Sequence, residues 1–351
     1  MPRQKRHVKS VNLALQGGGS HGAFTWGVLD RIFEEDQLWI EAISGTSAGA
    51  MNAVVAAQGM YDGQADGARK ALHDFWRAVS AAGQASPIKR GPLDVLLGNW
   101  SLDASPTYLG FDLLSRIASP YETNPLNLNP LRDLLDHHVD FDKVRHCSDM
   151  GIYLSATNVE TGRVRIFKRE EITRDTVLAS ACLPLMFQAI EIDGLHYWDG
   201  GFMGNPVLFP FIDESPTEDI VIVQINPVVR EEVPRTAREI VNRVNEITFN
   251  SSLLKELRAI DFVRRLKDEG RLDDSFRQMR IHIVEARKQM RPLGASSKLN
   301  TEWAFLMHLF EIGREAADKW LAKNFDRIGH ESTVDVRQVF QGIGDAPHSR
   351  P

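Results

Sequence analysis

Twice near its start the chain runs from a short apolar stretch into a glycine-rich turn and on into a helix-like pattern. Residues 11–15 lead into Gly17-Gly18-Gly19-Ser20-His21-Gly22, with a helical pattern over about 23–35. Residues 39–43 lead into Gly45-Thr46-Ser47-Ala48-Gly49, followed by Ala50-Met51-Asn52-Ala53-Val54-Val55. A strand that turns at once into a helix sends the helix back across the sheet before the next strand begins. Repetition of that unit points to an α/β fold with a mainly parallel sheet.

Further strand-like runs cover residues 150–159, 163–168, 188–192, 220–226 and 279–285, and Asp193-Gly194 reads as a two-residue hairpin turn. Helical patterns fill 66–82, 237–269 and 301–324. Residues 84–130 break the alternation: six prolines fall between Pro87 and Pro130, so an irregular insertion with short helical pieces is expected there. The expected organisation is a basic arm over 1–10, one α/β domain over 11–328 and a polar, disordered tail over 329–351.

The nearly uncharged stretches 11–29 and 42–61 are cut by glycine turns and are only weakly apolar, unlike the ~20 strongly apolar residues of a membrane span. The apolar run at 11–15 is too short for a signal peptide, so a cytoplasmic location is expected. Cys147 and Cys182 are the only cysteines, which gives no disulfide framework and suits a reducing compartment. A net charge of −6 argues against a general nucleic-acid binder.

Gly45-Thr46-Ser47-Ala48-Gly49 fits G-x-S-x-G. Small residues at Gly45 and Gly49 let strand and helix approach, which holds the Ser47 hydroxyl exposed at a helix N-terminus. The plain alternative is a capping serine at an ordinary turn. A nucleophilic serine needs a base. Asp199-Gly200-Gly201 places an acid in a sharp turn, although an Asp-Gly pair is also a common loop turn. The opening turn fits G-x-G-x-x-G through Gly17, Gly19 and Gly22, and its N–H groups suit a pyrophosphate or an oxyanion. A dinucleotide site wants an acid at the end of the next strand, but Glu41 lies within that strand, which runs on into Ser47. Gly22 is followed by Ala23-Phe24, not by the Lys-Ser/Thr of a P-loop. Context favours the oxyanion. A histidine base after Asp199 would be His282, His308, His330 or His348, none of them in a motif; His196, three residues before Asp199 on a strand, falls on the opposite face.

These motifs, in this order, resemble the patatin-like phospholipase family. Residues 179–187 are similar to its S-x-x-x-P segment, and residues 199–207 to its D-G-G-x-x-x-N-P pattern; the resemblance covers roughly 11–206. It implies a three-layer α/β/α sandwich and a serine acyl hydrolase of phospholipase A or lysophospholipase type, with no metal or organic cofactor. It implies Ser47 as nucleophile, Asp199 as base without a catalytic histidine, and Gly17, Gly18 and Gly19 as the oxyanion loop. Gly45 and Gly49 frame the elbow, Gly200 and Gly201 the turn after the aspartate, and His21 and Gly22 support the loop. The family usually has arginine or lysine where His21 stands. His21 serves there when protonated, as a neutral donor, or merely packs.

A polyester or neutral-lipid esterase would suit the same site. From other classes, a nucleotide-binding oxidoreductase would use the Gly17–Gly22 loop, and a non-catalytic interaction protein would keep only the fold. The insertion carries Leu96, Leu97, Trp100, Tyr108, Leu109, Phe111, Leu113 and Leu114. These either complete the core or meet acyl chains, as a lid and peripheral membrane contact over 87–130. Residues 264–271 read as a solvated helix face, and Trp303, Leu306, Leu309, Phe310 and Trp320 as core.

Overall fold

The computed structural model describes residues 9–273 and 275–342. Residues 1–8 of the expected arm and 343–351 of the expected tail, with His348, lie outside the described residues. The strands are β1 (Lys9–Leu15), β2 (Leu38–Gly45), β3 (Gly151–Asn158), β4 (Val164–Lys168), β5 (Ile190–Ile192), β6 (Leu195–Asp199), β7 (Asp219–Gln224) and β8 (Arg280–Glu285). They form one sheet in the order β5-β6-β3-β2-β1-β7-β8, with β4 also paired to β3. The run from β3 to β8 is parallel, and β4, β5 and β6 pair antiparallel.

Side chains alternate between two apolar cores. Leu13, Leu15, Val221 and Val223 enter one, and Ala14, Ile220 and Ile222 the other. A sheet that is apolar on both faces must be covered on both. Helices α1 (Gly22–Phe33), α2 (Ala48–Gly83) and Trp303–Asn324 cover the first face, and Ala237–Asp268 with the shorter Phe209–Glu214 and Val336–Gln341 covers the second. The result is a three-layer α/β/α sandwich. Among the described residues no helix is long and apolar enough to cross a membrane.

Two pairings bring the later site together. β1 and β2 are parallel neighbours with Leu15 opposite Gly45, so their glycine turns leave the sheet side by side. β4 lines one edge of β3 over Tyr153–Thr157. The other edge is shared: β2 pairs with Gly151–Leu154, and β6, running the opposite way, takes over at Ala156–Asn158. The C-terminal ends of β2 and β6 therefore point at each other, Gly45 opposite Leu154 and Asp199 opposite Ala156. The β5–β6 hairpin turns at Asp193 and Gly194, with φ of 52° and 77°, as an Asp-Gly turn with both residues left-handed should.

Three expectations need correcting. The helical pattern at 66–82 continues α2 beyond a break at Gly63 and Gln64. Lys9 and Ser10 belong to β1, where Lys9 Nζ donates to the carbonyls of Phe325 at 2.8 Å and Ile328 at 3.0 Å. The tail is ordered to Gly342 because its few apolar residues have somewhere to go: Val336 is buried in the second core, with Val339 and Phe340 packed on it. The Thr333 N–H also donates to the Ile281 carbonyl at 3.1 Å.

Asp219 fixes the start of that tail. Its Oδ1 accepts from His282 Nε2 and from the Gly329 N–H, both at 2.9 Å, and Arg280 Nη2 donates to Oδ2 at 2.8 Å. Burial alone would raise this carboxyl, but the bonds from His282, Arg280 and Gly329 outweigh it and bring the pKa down to about 2. Asp219→Ala strands a buried histidine and an arginine, and should cost about 3 kcal/mol in urea unfolding at neutral pH. A depressed folded-state pKa gives stability that is complete above the unfolded value and lost as pH falls through the folded one. Wild type and variant should thus converge between pH about 4 and about 2.

Candidate active site

Ser47 stands between β2 and α2 with φ 56° and ψ −119°. A left-handed φ strains a residue that carries a side chain and persists only where its surroundings impose it. Here the Ser47 N–H donates to Ser180 Oγ at 3.0 Å, the Gly49 N–H to the Thr46 carbonyl at 2.8 Å, and Thr46 Oγ1 to the Gly204 carbonyl at 2.7 Å. Glycines make room for the elbow. A Cβ on Gly45 would lie 2.5 Å from the Gly49 carbonyl oxygen, and one on Gly49 would overlap the Leu15 carbonyl.

Asp199 ends β6 fully buried. Its N–H donates to the Cys182 carbonyl at 2.8 Å, and its own carbonyl accepts from Thr157 Oγ1 at 2.9 Å. Oδ1 accepts from the Gly201 N–H at 2.7 Å. Oδ2 makes no hydrogen bond of standard geometry, yet the Ser47 side chain is near enough to favour the ionised form. Burial pushes the carboxyl up to about 6, against the Gly201 N–H, the Ser47 hydroxyl and the charge of Lys298. Gly200 lies against the Ser155 carbonyl and Gly201 against the Phe249 ring, so the turn after the aspartate is packed on both sides.

The opening turn lies against this pair: a Cβ on Gly17 would come within 2.7 Å of the Ser47 Cβ. Gln16 anchors it, its Oε1 accepting from the N–H groups of Ile225 at 2.9 Å and Asn226 at 2.8 Å. The Gly17 N–H is already given to Asn205 Oδ1 at 2.7 Å, and the Gly17 carbonyl accepts from Asn226 Nδ2 at 2.8 Å. Gly17 therefore drops out as an oxyanion donor. The N–H groups of Gly18 and Gly19 make no hydrogen bond within the described residues. Gly19 has φ 56° with the Lys298 carbonyl oxygen 2.5 Å from its Cβ position, so only glycine fits. Gly22 opens α1 against Ala48.

His21 is buried and neutral. Burial, and then the charge of Lys298, holds its pKa well below the usual histidine value. Ser297 Oγ donates to the Gly294 carbonyl at 2.7 Å, so it accepts from His21 Nε2–H across their 2.8 Å contact. The protonated role considered for His21 does not fit.

Among the described residues no histidine is hydrogen-bonded to the Asp199 carboxylate. His282 binds Asp219, His308 stacks on Trp100 with ring centres 5.7 Å apart, and His196 pairs with Glu160 at 2.7 Å on the surface. His330 sits in an exposed turn. Glu41 lies mid-strand in β2, away from a ribose position after the first turn. Among the described residues no cluster of three or more His, Cys, Asp or Glu side chains could hold a metal ion. Sequence reasoning had Ser180 and Asn205 only as letters of motifs, and missed Gln16, Asn226 and Lys298, which carry no local signal.

This arrangement can move a proton from a strained serine to a buried carboxylate beside two free N–H donors. The family model for patatin-like phospholipase matches residues 13–212. No curated protein matches the chain as a relative. Among solved structures, VipD from Legionella pneumophila is 14% identical over 87% of this chain and 67% of that one, with a TM-score of 0.37. A chain of the ExoU–SpcU complex from the type III secretion system of Pseudomonas aeruginosa is 14% identical, with a TM-score of 0.40. There the match covers 91% of this chain, which spans only 52% of the other's length.

The elbow's crowding is testable by a paired substitution. Gly49→Ala forces a methyl into the Leu15 carbonyl and should lower stability by about 3 kcal/mol. Gly110→Ala meets open space in the helix Pro106–Ile117 and should be neutral, or stabilising by up to about 1 kcal/mol. Thermal unfolding of the two variants against wild type reads both.

Proposed function

The chain belongs to the patatin-like phospholipase family, and on that premise we propose that it is a serine acyl hydrolase that cleaves lipid ester bonds through a Ser47–Asp199 dyad. The observation that carries this reading is a fully buried carboxylate with one unpaired oxygen, next to a hydroxyl held on a strained turn.

Asp199 accepts the Ser47 proton as Ser47 Oγ attacks the ester carbonyl. The carbonyl oxygen takes the negative charge against the N–H groups of Gly18 and Gly19. Collapse expels the alcohol, which leaves with the proton from Asp199, and the acyl group stays on Ser47. Asp199 then deprotonates water, water attacks the acyl carbon, and the acid departs as Ser47 regains its proton. A base whose pKa is about 6 is better matched to neutral pH than an exposed carboxylate.

Exposed apolar side chains of the insertion support a lipid substrate. In the insertion, Leu96, Leu97, Ile117 and Leu126 are 81%, 72%, 75% and 78% exposed, while Leu102 is buried and Trp100, Tyr108 and Phe111 are partly buried. The insertion thus divides between core and surface. The helix Ala237–Asp268 adds exposed Ile240, Val244 and Ile247, spaced to share one face. Arg238 ties the two segments together by an ion pair to Asp103 at 3.2 Å. Further along the same helix, Phe249 packs on the turn after Asp199.

Two measurements test this. A fluorophosphonate probe should label Ser47. Ser47→Ala and Asp199→Asn should each cost ~10⁴-fold in hydrolysis of p-nitrophenyl butyrate, and the double variant little more. Activity should rise with pH through about 6 as Asp199 loses its proton. Wild-type turnover in Ser47→Ala would overturn the dyad. For the apolar surface of the insertion, Leu97→Asp with Ile117→Asp should weaken sedimentation with phosphatidylcholine–phosphatidylglycerol vesicles while sparing the soluble ester; unchanged sedimentation would remove the membrane role.

A further inference from the structure

Lys298 lies on the short turn Ser296–Leu299, ahead of the helix Trp303–Asn324 and outside the residues matched by the family model. This turn touches the glycine loop at two places and reaches it at a third through Asn226. Lys298 Nζ donates to Asn226 Oδ1 at 2.8 Å, and Asn226 Nδ2 donates to the Gly17 carbonyl at 2.8 Å. The Lys298 carbonyl fills the space beside Gly19, and Ser297 accepts from His21.

Lys298 is buried, and the anions whose fields reach it are Glu246 first and then Asp199. Among the described residues it makes no ion pair; its hydrogen bond goes to a neutral amide. The other cations nearby are occupied: Arg230 pairs with Glu246 at 2.5 Å, and Arg243 with the same carboxylate at 3.1 Å. His21, the basic residue within the loop, is neutral. Burial lowers the Lys298 ammonium from its usual value; Glu246 and Asp199 favour its charged form and Arg230 opposes it. Asp199 and Lys298 each favour the other's ionised form. Cys182, the remaining titratable group beside Asp199, stays a thiol, pushed up to about 12 by burial.

We propose that Lys298 is a positioning residue of this site, holding the Gly17–Gly19 turn through Asn226 and supplying the positive charge that the loop itself lacks. This rests on the dyad reading above. Before attack the negative charge is on Asp199. When Asp199 takes the Ser47 proton, that charge reappears on the oxygen at Gly18 and Gly19. Lys298 is coupled to both places, by its field to Asp199 and by contact to the loop, so the transfer happens within reach of one fixed cation. The chain thus borrows, from a turn late in its sequence, a charge that its first turn does not carry.

The test is the pH profile of kcat/KM and kcat for p-nitrophenyl butyrate in Lys298→Met and Lys298→Arg. With the charge removed, Asp199 should ionise later, and the acid limb should move to higher pH. Plateau kcat should fall roughly tenfold to a hundredfold, with KM little changed. Lys298→Arg should return the limb towards its wild-type position. An unmoved limb in folded Lys298→Met overturns the proposal, whatever the plateau does, because a merely structural lysine would lower kcat without shifting the titration. If Lys298→Met does not fold, Lys298→Cys is compared after alkylation with bromoethylamine, which restores an ammonium, and with iodoacetamide, which does not; equal limbs then overturn it. A wild type that neither hydrolyses the ester nor takes the fluorophosphonate label fails the dyad reading instead, which separates the two outcomes.

Discussion

The edge of β3 that β2 and β6 share is the constraint on which the site depends. β4 already lines one edge of β3, so the two other partners must divide what is left. One approaches in parallel and the other antiparallel, and their ends meet. A hydroxyl from the first and a carboxyl from the second are thus brought together by ladder hydrogen bonds, not by flexible loops. Backbone pairing fixes positions more tightly than long surface connections can. It also explains how a carboxylate can end up fully buried: Asp199 is a strand residue in the sheet's own plane, and burial follows from pairing.

The turn after β1 is wired from behind. Gln16, Asn205 and Asn226 use up the polar groups at Gln16 and Gly17, and Lys298 closes the far side at Gly19. What is left unspent is a pair of N–H groups at Gly18 and Gly19. A turn rich in glycine is floppy by composition, and here it is held by the Gln16 side chain and by side-chain and backbone groups distant in the chain. The same wiring leaves His21 edge-on to Phe305 and hydrogen-bonded to Ser297.

What the sequence revealed depended on distance along the chain. The two strand–turn–helix units, Ser47 and the Asp193-Gly194 hairpin were legible because each is fixed by neighbours a few residues away. Asp199 was legible as an acid before two glycines, and its burial was not, because that follows from pairing with β3. Ser180 and Asn205 were visible within their motifs, yet nothing local says that one holds the Ser47 N–H and the other the Gly17 N–H. Asn226 and Lys298 reach the site only through tertiary packing. The tail misled for a related reason: a polar segment with few apolar residues looks loose until the groove between Ala237–Asp268 and the sheet is there to receive Val336.

The family match ends at residue 212, but the fold does not. β1 is an interior strand only because β7 pairs with it over Asn12–Leu15. A fragment cut at the limit of similarity would lose β7, β8 and the layer over the second face. β1 would become a bare edge, with unpaired amides open to any passing strand. Gln16 would lose Ile225 and Asn226, and the glycine turn its support. The recognisable segment is therefore a signature and not a module: it can be aligned on its own, but it could not be transplanted on its own.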